Sequence, residues 1–236
     1  MKLIGALYLS IVVPIFNGNR YIENLYRELK KEFNGYVGRY EIIFIDDAST
    51  DDTAALLEDI YARDSCLRIV KFKKNRGQHN AIYTGLKISG GNVIIVLDDD
   101  MAFSVKSLSL FVGEIEKGKD VVLGWRLQRG SMSIFRKGMS FITNLIISFF
   151  VGVRIHDPGC GVKCFRKEII DIEGNHLRVI KNLFKYQCKE LKIKCNNFSY
   201  SRYNSFKLIK LFYVVIMNIF VMNTLVYDED NIIFFK

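Results

Sequence analysis

Gly91-Asn92-Val93-Ile94-Ile95-Val96-Leu97-Asp98-Asp99-Asp100-Met101 joins a β-branched run directly to three consecutive carboxylates. A Val/Ile run without polar alternation suits a strand buried on both faces, as in a parallel sheet covered by helices. In open α/β sheets the carboxyl ends of such strands are where ligands sit. Three adjacent acids at a buried strand end repel one another and lose hydration, which a bound cation would relieve. Asp98 and Asp100 are its candidate holders, because alternate residues of an extended chain point to the same side. A solvated acidic turn capping the next helix would account for the same three residues, so the choice rests on the remainder of the chain.

Upstream, Tyr8 to Val13 reads as a first strand, followed by a turn over Pro14-Ile15-Phe16-Asn17-Gly18-Asn19. A helix is expected from Arg20 to Phe33, with Tyr21, Ile22, Leu25, Leu29 and Phe33 on one face. Tyr40 to Ile45 reads as a second strand and also ends in acids, Asp46 and Asp47, before Ser49-Thr50-Asp51-Asp52 caps another helix. Leu67 to Phe72 is a third strand, and Asn75-Arg76-Gly77-Gln78-His79 opens a helix to Ile88. Four strands alternating with three helices on short connections predict a doubly wound, mostly parallel α/β sheet. An amphipathic helix over Ser104 to Glu116 and a strand over Asp120 to Leu123 follow; beyond them the alternation breaks down.

With 236 residues, half of them hydrophobic and only two prolines, the chain can bury a full core and is not disordered. Its formal net charge of +9 is concentrated after Gly124, which implies an anionic partner for that half. No recognisable motif focuses it on nucleic acid. Five cysteines, Cys66, Cys160, Cys164, Cys188 and Cys195, are odd in number and irregularly spaced; they read as reduced thiols. The apolar run from Leu3 to Ile15 ends in a proline loop without a small-residue cleavage site, so it reads as the first strand and not as a leader.

The second half holds a polar, basic loop at Gly124-Trp125-Arg126-Leu127-Gln128-Arg129-Gly130, an apolar helix between Ile134 and Val151, and a tight loop at His156-Asp157-Pro158-Gly159-Cys160-Gly161. From Arg202 to Tyr227 a basic start leads into an almost unbroken apolar body. Three readings stand for it: a helix lying in a bilayer interface, a terminal helix docked on the protein, or a spanning helix, which Asn218 and Asn223 disfavour because they would need partners in the hydrocarbon. Residues 1–200 are accordingly read as one domain and 201–236 as a C-terminal helical segment, membrane-associated in the first reading.

Taken in order, these loops resemble family 2 glycosyltransferases, and among them the polyprenyl-phosphate sugar synthases of the dolichyl-phosphate mannose and undecaprenyl-phosphate glucose type. Six stretches carry the resemblance: Ser10 to Asn17, Ile45 to Thr53, Asn75-Arg76-Gly77-Gln78, Leu97-Asp98-Asp99-Asp100, Gly124-Trp125-Arg126 with Arg129, and Asp157-Pro158-Gly159-Cys160-Gly161 leading to Phe165-Arg166. The chain departs from the pattern at Gly18, where Glu is common, at Ala102, where Gln is common, and near Gly130, where Asp is usual.

The resemblance implies a GT-A type, Rossmann-like fold and an inverting transfer of a hexose from a nucleotide-diphosphate sugar to a polyprenyl phosphate. It places the activity at a membrane surface, on the cytoplasmic face, with the protein peripheral or shallowly anchored and an oligomer left open. Asp98 and Asp100 would hold Mg²⁺ or Mn²⁺ against the leaving diphosphate. Pro14, Phe16, Asn17, Asp46, Asp47, Gln78 and Asp99 would form the donor-nucleotide site. Arg126, Arg129, Arg136 and Arg202 would hold the acceptor phosphate, and Asp157 would orient groups near the anomeric carbon, unless it merely caps the Pro158-Gly159 turn. His79 and His156 read as structural. Two other functions fit the same residues: a family 2 enzyme acting on a saccharide hydroxyl, for which Asp157 is the candidate base, and a catalytically silent nucleotide-binding or membrane-scaffold protein.

Overall fold

Uninterrupted Val, Ile and Leu runs build the centre of the molecule. The computed structural model describes residues 7–64, 67–127, 145, 155–157, 160–169, 186–194 and 232–234. Strands β1 (Tyr8–Ile15), β2 (Arg39–Asp46), β3 (Leu67–Phe72) and β4 (Val93–Val96) run parallel, in the spatial order β4-β1-β2-β3. The order reverses between β1 and β4, so the crevice between their carboxyl ends is the switch point at which doubly wound sheets bind ligands.

Alternate residues of the central strands feed two cores. Leu9, Ile11, Val13, Ile42 and Phe44 face helices α1 (Asn19–Glu32) and α2 (Thr53–Arg63). Val12, Ile43 and Ile45 face α3 (Gln78–Ile88) through Ala81, Ile82 and Leu86. The helix expected after the acids begins as a short 3-10 turn at Val105–Ser107 and continues as α4 (Leu108–Glu116), whose Leu108, Phe111 and Ile115 join the first core.

The first strand runs two residues further than the sequence predicts, because Pro14 and Ile15 stay extended beside Ile45 and Asp46 of β2. On the β4 side the pairing stops: Leu97 N–H donates to the Val12 carbonyl at 3.0 Å, and Pro14, the next β1 residue facing that way, has no N–H to continue the ladder. The two chains part there, immediately before Asp98.

Among the described residues four more strands complete a single eight-stranded sheet, ordered β7-β5-β6-β4-β1-β2-β3-β8. They are β5 (Val121–Arg126), β6 (Lys163–Arg166), β7 (Cys188–Ile193) and β8 (Ile232–Phe234). Strand β6 is antiparallel to both β4 and β5, β7 is parallel to β5, and β8 is antiparallel to β3. The expected loop at Gly124-Trp125-Arg126 is therefore strand at these three residues: β7 pairs along them, with Arg126 matched to Ile193.

The apolar helix expected between Ile134 and Val151 lies, apart from Leu145, outside the described residues, as does all of Arg202 to Tyr227. Of the segment 201–236, Ile232–Phe234 form a strand on the sheet. Among the described residues no helix is long and apolar enough to cross a membrane.

Candidate active site

Two loops at the carboxyl ends of β1 and β2 are tied together by their own polar side chains. Asn17, at φ 53°, accepts hydrogen bonds at Oδ1 from Thr50 N–H at 2.8 Å and Thr50 Oγ1 at 3.3 Å, while its own N–H donates to Ser49 Oγ. Gly18 N–H donates to Thr53 Oγ1, and Asp51 accepts from Thr53 N–H at 3.1 Å. Asp52 holds the N-cap position of α2 without a side-chain capping bond, and the side-chain acceptor at this helix start comes from Asp51.

Asp46 and Asp47 do different work. Asp47 is buried, and its two oxygens accept the N–H groups of Arg76 at 2.7 Å and Gly77 at 2.8 Å. It clamps the turn that starts α3, and Asn75 Nδ2 adds a bond to the Asp47 carbonyl at 3.1 Å. Burial first, and then the neighbouring Asp46 charge, push the Asp47 carboxyl up against the pull of those N–H donors. Asp46 is fully buried and accepts Ser49 N–H through Oδ1 at 2.9 Å, but its Oδ2 has no hydrogen-bond partner among the described residues. A buried acceptor without a donor is costly, and here it lies one strand from the switch point. Phe16, 41 % exposed, stands at the end of β1 beside these loops.

The three acids after β4 do not continue the strand: Asp99 and Asp100 form a turn, followed by Met101 at φ 51°. Asp99 is buried toward α1: a Cβ built on Gly18 would lie 2.9 Å from its Oδ2. Asp98 and Asp100 are half-buried. Asp100 Oδ1 accepts Ala102 N–H at 3.0 Å, and Gln78 Nε2 donates to Asp98 Oδ1 at 2.7 Å. Burial raises the Asp98 carboxyl above its ordinary range and the Asp100 charge adds to this, partly offset by Lys163, the Gln78 bond and Arg126.

Gly161 packs directly on Asp98, since a Cβ at that position would lie 1.9 Å from Asp98 Oδ2. Two carboxylates at a strand end, Asp98 seated against a bare glycine backbone, are a donor set suited to a hard divalent cation such as Mg²⁺ or Mn²⁺. Among the described residues no group of three or more acidic, histidine or cysteine side chains is placed to hold a metal ion together. Asp98 and Asp100 would therefore supply two protein ligands and leave the remaining positions to water and phosphate oxygens, as is usual for these ions with nucleotides.

On the far wall, two successive residues of β5 grip two successive residues of the loop before β6. Arg126 forms a forked ion pair with Asp157, Nε to Oδ2 at 2.7 Å and Nη2 to Oδ1 at 2.9 Å, and its N–H also donates to Oδ2 at 3.2 Å. The Asp157 side chain is 1 % exposed. Trp125 stacks on His156 with ring centroids 4.1 Å apart and 9° between planes. Glu190 of β7 holds His156 by its N–H at 2.8 Å and by Nδ1 at 2.6 Å, and Lys192 Nζ lies 4.8 Å from the Trp125 ring centre.

Asp157 is thus the partner of Arg126; its carbonyl accepts Cys160 N–H at 3.0 Å, and Pro158 and Gly159, the turn weighed for it, lie outside the described residues. Arg129, Arg136 and Arg202 lie outside the described residues, so Arg126 is the member of the arginine group whose position is given. Sequence reasoning missed Gly161 and Lys163 as site residues. Their spacing was the available signal: two residues apart on an extended chain, they share a side, and Lys163 Nζ reaches back to the Cys160 carbonyl at 2.9 Å.

A doubly wound sheet with paired acids at its switch point is an α/β fold of the Rossmann-like kind. Its family follows from sequence: the model for glycosyl transferase family 2 matches residues 10–172, and the chain belongs to that family. It is 34 % identical over 169 residues to a dodecaprenyl-phosphate galacturonate synthase of Rhizobium johnstonii, covering 71 % of this chain and 50 % of that protein. It is 33 % identical over 213 residues to an undecaprenyl-phosphate 4-deoxy-4-formamido-L-arabinose transferase of Klebsiella pneumoniae, covering 86 % of this chain and 65 % of that one. The chain thus spans half to two-thirds of the length of these curated relatives. Among solved structures, the fold matches Mycobacterium tuberculosis glucosyl-3-phosphoglycerate synthase in complex with Mn²⁺, uridine diphosphate and glucosyl-3-phosphoglycerate, at TM-score 0.68 and 16 % identity over 90 % of this chain and 78 % of that one. Mannosyl-3-phosphoglycerate synthase of Rubrobacter xylanophilus matches at TM-score 0.66 and 15 % identity, over 90 % of this chain and 72 % of that one.

Proposed function

We propose that this chain transfers a hexose, with inversion, from a nucleotide-diphosphate sugar to a polyprenyl phosphate at the cytoplasmic face of a membrane. The family and the polyprenyl-phosphate acceptors named for its relatives support this reading. The observation that carries it is the state of Asp157. A hydroxyl acceptor needs a base to take its proton, whereas a phosphate oxygen is already anionic and needs none. Asp157, the candidate base, is buried, and both its oxygens are engaged in a fork by Arg126 instead of standing open to an acceptor hydroxyl.

In this reading the Pro14–Asn17 loop and Asp46 bound the nucleoside pocket, with the unmatched Asp46 Oδ2 offered to a base or ribose donor. Asp47 acts through the backbone, fixing the turn from which Gln78 reaches Asp98. Asp98 and Asp100 hold a divalent ion, which acts as a Lewis acid on the departing diphosphate. Asp99 braces the acidic turn from beneath, against Gly18. Arg126, fixed by Asp157, is the described residue that would hold the lipid-borne phosphate.

The second reading, a saccharide hydroxyl acceptor, draws on one observation: His156 has Glu190 at Nδ1, the arrangement of an oriented general base. The test is incubation with radiolabelled UDP-glucose, UDP-GlcNAc or GDP-mannose, Mn²⁺ and undecaprenyl phosphate, followed by solvent extraction. Label in the organic phase is expected. Label confined to a soluble saccharide, with a His156→Ala variant inactive, would favour the second reading.

A further inference from the structure

The far wall holds a charged side chain that the reaction just described does not use. Glu190 lies in β7, matched in register to Leu123 of β5, with 16 % of its side chain exposed. Both its oxygens are engaged by one residue of another segment: Oε1 accepts the His156 N–H at 2.8 Å, and Oε2 meets His156 Nδ1 at 2.6 Å. An ordinary surface ion pair joins two side-chain tips and is worth little. This one holds a peptide group and a ring at once, and it does so from a strand, which is the more rigid support.

What the clamp fixes is the residue next in the chain. Asp157 follows His156, and its carboxylate engages the Nε–Nη2 edge of Arg126 while accepting the Arg126 N–H. His156 is itself stacked on Trp125, the residue before Arg126. Glu190 and Lys192 alternate along β7 and so share a side, and Lys192, matched to Trp125 in register, has its Nζ 4.8 Å from the ring centre. Strand β7 also holds the chain just beyond Arg126, where Leu127 N–H donates to the Ile193 carbonyl at 3.1 Å. Arg126 is therefore fixed from β7 twice, once along the backbone and once round through His156 and Asp157. An arginine whose plane is set before a phosphate arrives avoids having a long side chain ordered at the moment of binding.

We propose that Glu190 is a positioning residue for the acceptor phosphate: it holds His156, His156 sets Asp157, and Asp157 aims the Arg126 guanidinium. The inference rests on Arg126 receiving a lipid-borne phosphate, as proposed above. It puts the control of acceptor affinity on β7, three strands from β1 in the sheet, while the donor side is built at the ends of β1, β2 and β4. The wall also carries its own reporter. Trp125 is the only tryptophan of the chain, and an imidazole stacked on an indole alters its emission, so a His156 released from the clamp is visible before any ligand is added.

The test titrates farnesyl phosphate, a short lipid phosphate, into the whole chain, followed by Trp125 emission and by calorimetry, with farnesol as the uncharged control. UDP and GDP with Mn²⁺ are titrated separately. In Glu190→Ala, farnesyl phosphate is expected to bind about tenfold weaker, as when one arginine must be ordered on binding, with nucleotide affinity unchanged and the ligand-free Trp125 emission altered. Glu190→Gln keeps an oxygen for the His156 N–H and an amide for the ring, and is expected within about threefold of the parent. His156→Ala should reproduce both the altered emission and the weaker binding, and it carries the test should Glu190→Ala not fold. Unchanged farnesyl phosphate affinity in these alanine variants overturns the proposal, as does an equal fall for nucleotide and lipid phosphate, which would make Glu190 a general support of the fold. The double variant Arg126→Met, Asp157→Asn separates this failure from that of the acceptor reading. If it binds farnesyl phosphate like the parent, or the parent binds none, the acceptor reading falls; if it loses binding while Glu190→Ala keeps it, only the role of Glu190 falls.

Discussion

Glu41 and Asp98 occupy opposite ends of the same sheet, and the protein treats their charges in opposite ways. Glu41, near the amino end of β2, is 6 % exposed. Its Oε1 accepts from Ser10 Oγ and from Gly90 N–H, both at 2.6 Å, and Arg68 Nη1 reaches its Oε2 at 3.1 Å. Burial alone would raise its carboxyl, but these donors outweigh burial and hold it below the ordinary glutamate range. Asp98, at the carboxyl end of β4, accepts from Gln78 and faces Asp100, and its carboxyl is pushed up. A fold able to satisfy a buried acid at one rim leaves a pair under-neutralised at the other. The contrast separates an acid that holds strands together from acids kept ready for a cation.

The comparison breaks first at Asp98. Asp98→Asn is expected to lower transfer by about three orders of magnitude, several kcal/mol of transition-state stabilisation, while the thermal midpoint in metal-free buffer stays level or rises, because an unfavourable charge is gone. A clear fall in that midpoint would show Asp98 to be structural, like Glu41.

Arg126 and Asp157 are an intermediate case, acids and bases at the active rim but fully paired. Arg126→Met strands a buried carboxylate and should cost about 3–5 kcal/mol in urea unfolding, with Asp157→Asn in the same chain recovering part of it. If Arg126→Met unfolds at the parent midpoint, the pair is not a structural unit.

Gly161→Ala sharpens the contrast from the backbone side. The added methyl should displace the Asp98 carboxylate at a stability cost of about 1–3 kcal/mol and weaken Mn²⁺ binding in the presence of nucleotide, measured by calorimetry. The smallest effect belongs to Glu41→Gln, expected to cost about 1–2 kcal/mol at neutral pH by loss of charge-assisted hydrogen bonds. A depressed folded-state carboxyl contributes stability above its unfolded value of about 4.3 and loses it as pH falls through the folded one. The gap between parent and Glu41→Gln midpoints should therefore close as the pH is lowered below about 4.

Legibility followed the same physical divide. Strands β1, β2 and β4 carry runs of three or more consecutive apolar residues because both faces are buried, while β3 keeps four apolar residues around Arg68 and Lys71. Strand β7, Cys-Lys-Glu-Leu-Lys-Ile, interleaves charges along a sheet edge, and β6 and β8 are too short to carry a periodic signal. The position of Asp98 and Asp100 could be read because a strand end is a local property. The Arg126–Asp157 fork joins residues from separate elements, and Glu41 and Arg68 meet only through the β2–β3 register. Pairings of that kind are written in the topology, which has to be known before the partners can be chosen.

Strand β8 carries a consequence of its own. With β7 on one margin of the sheet and β8 on the other, the side of β3 that β2 does not use is taken up by Ile232–Phe234 and is not left as a template for a strand of another chain.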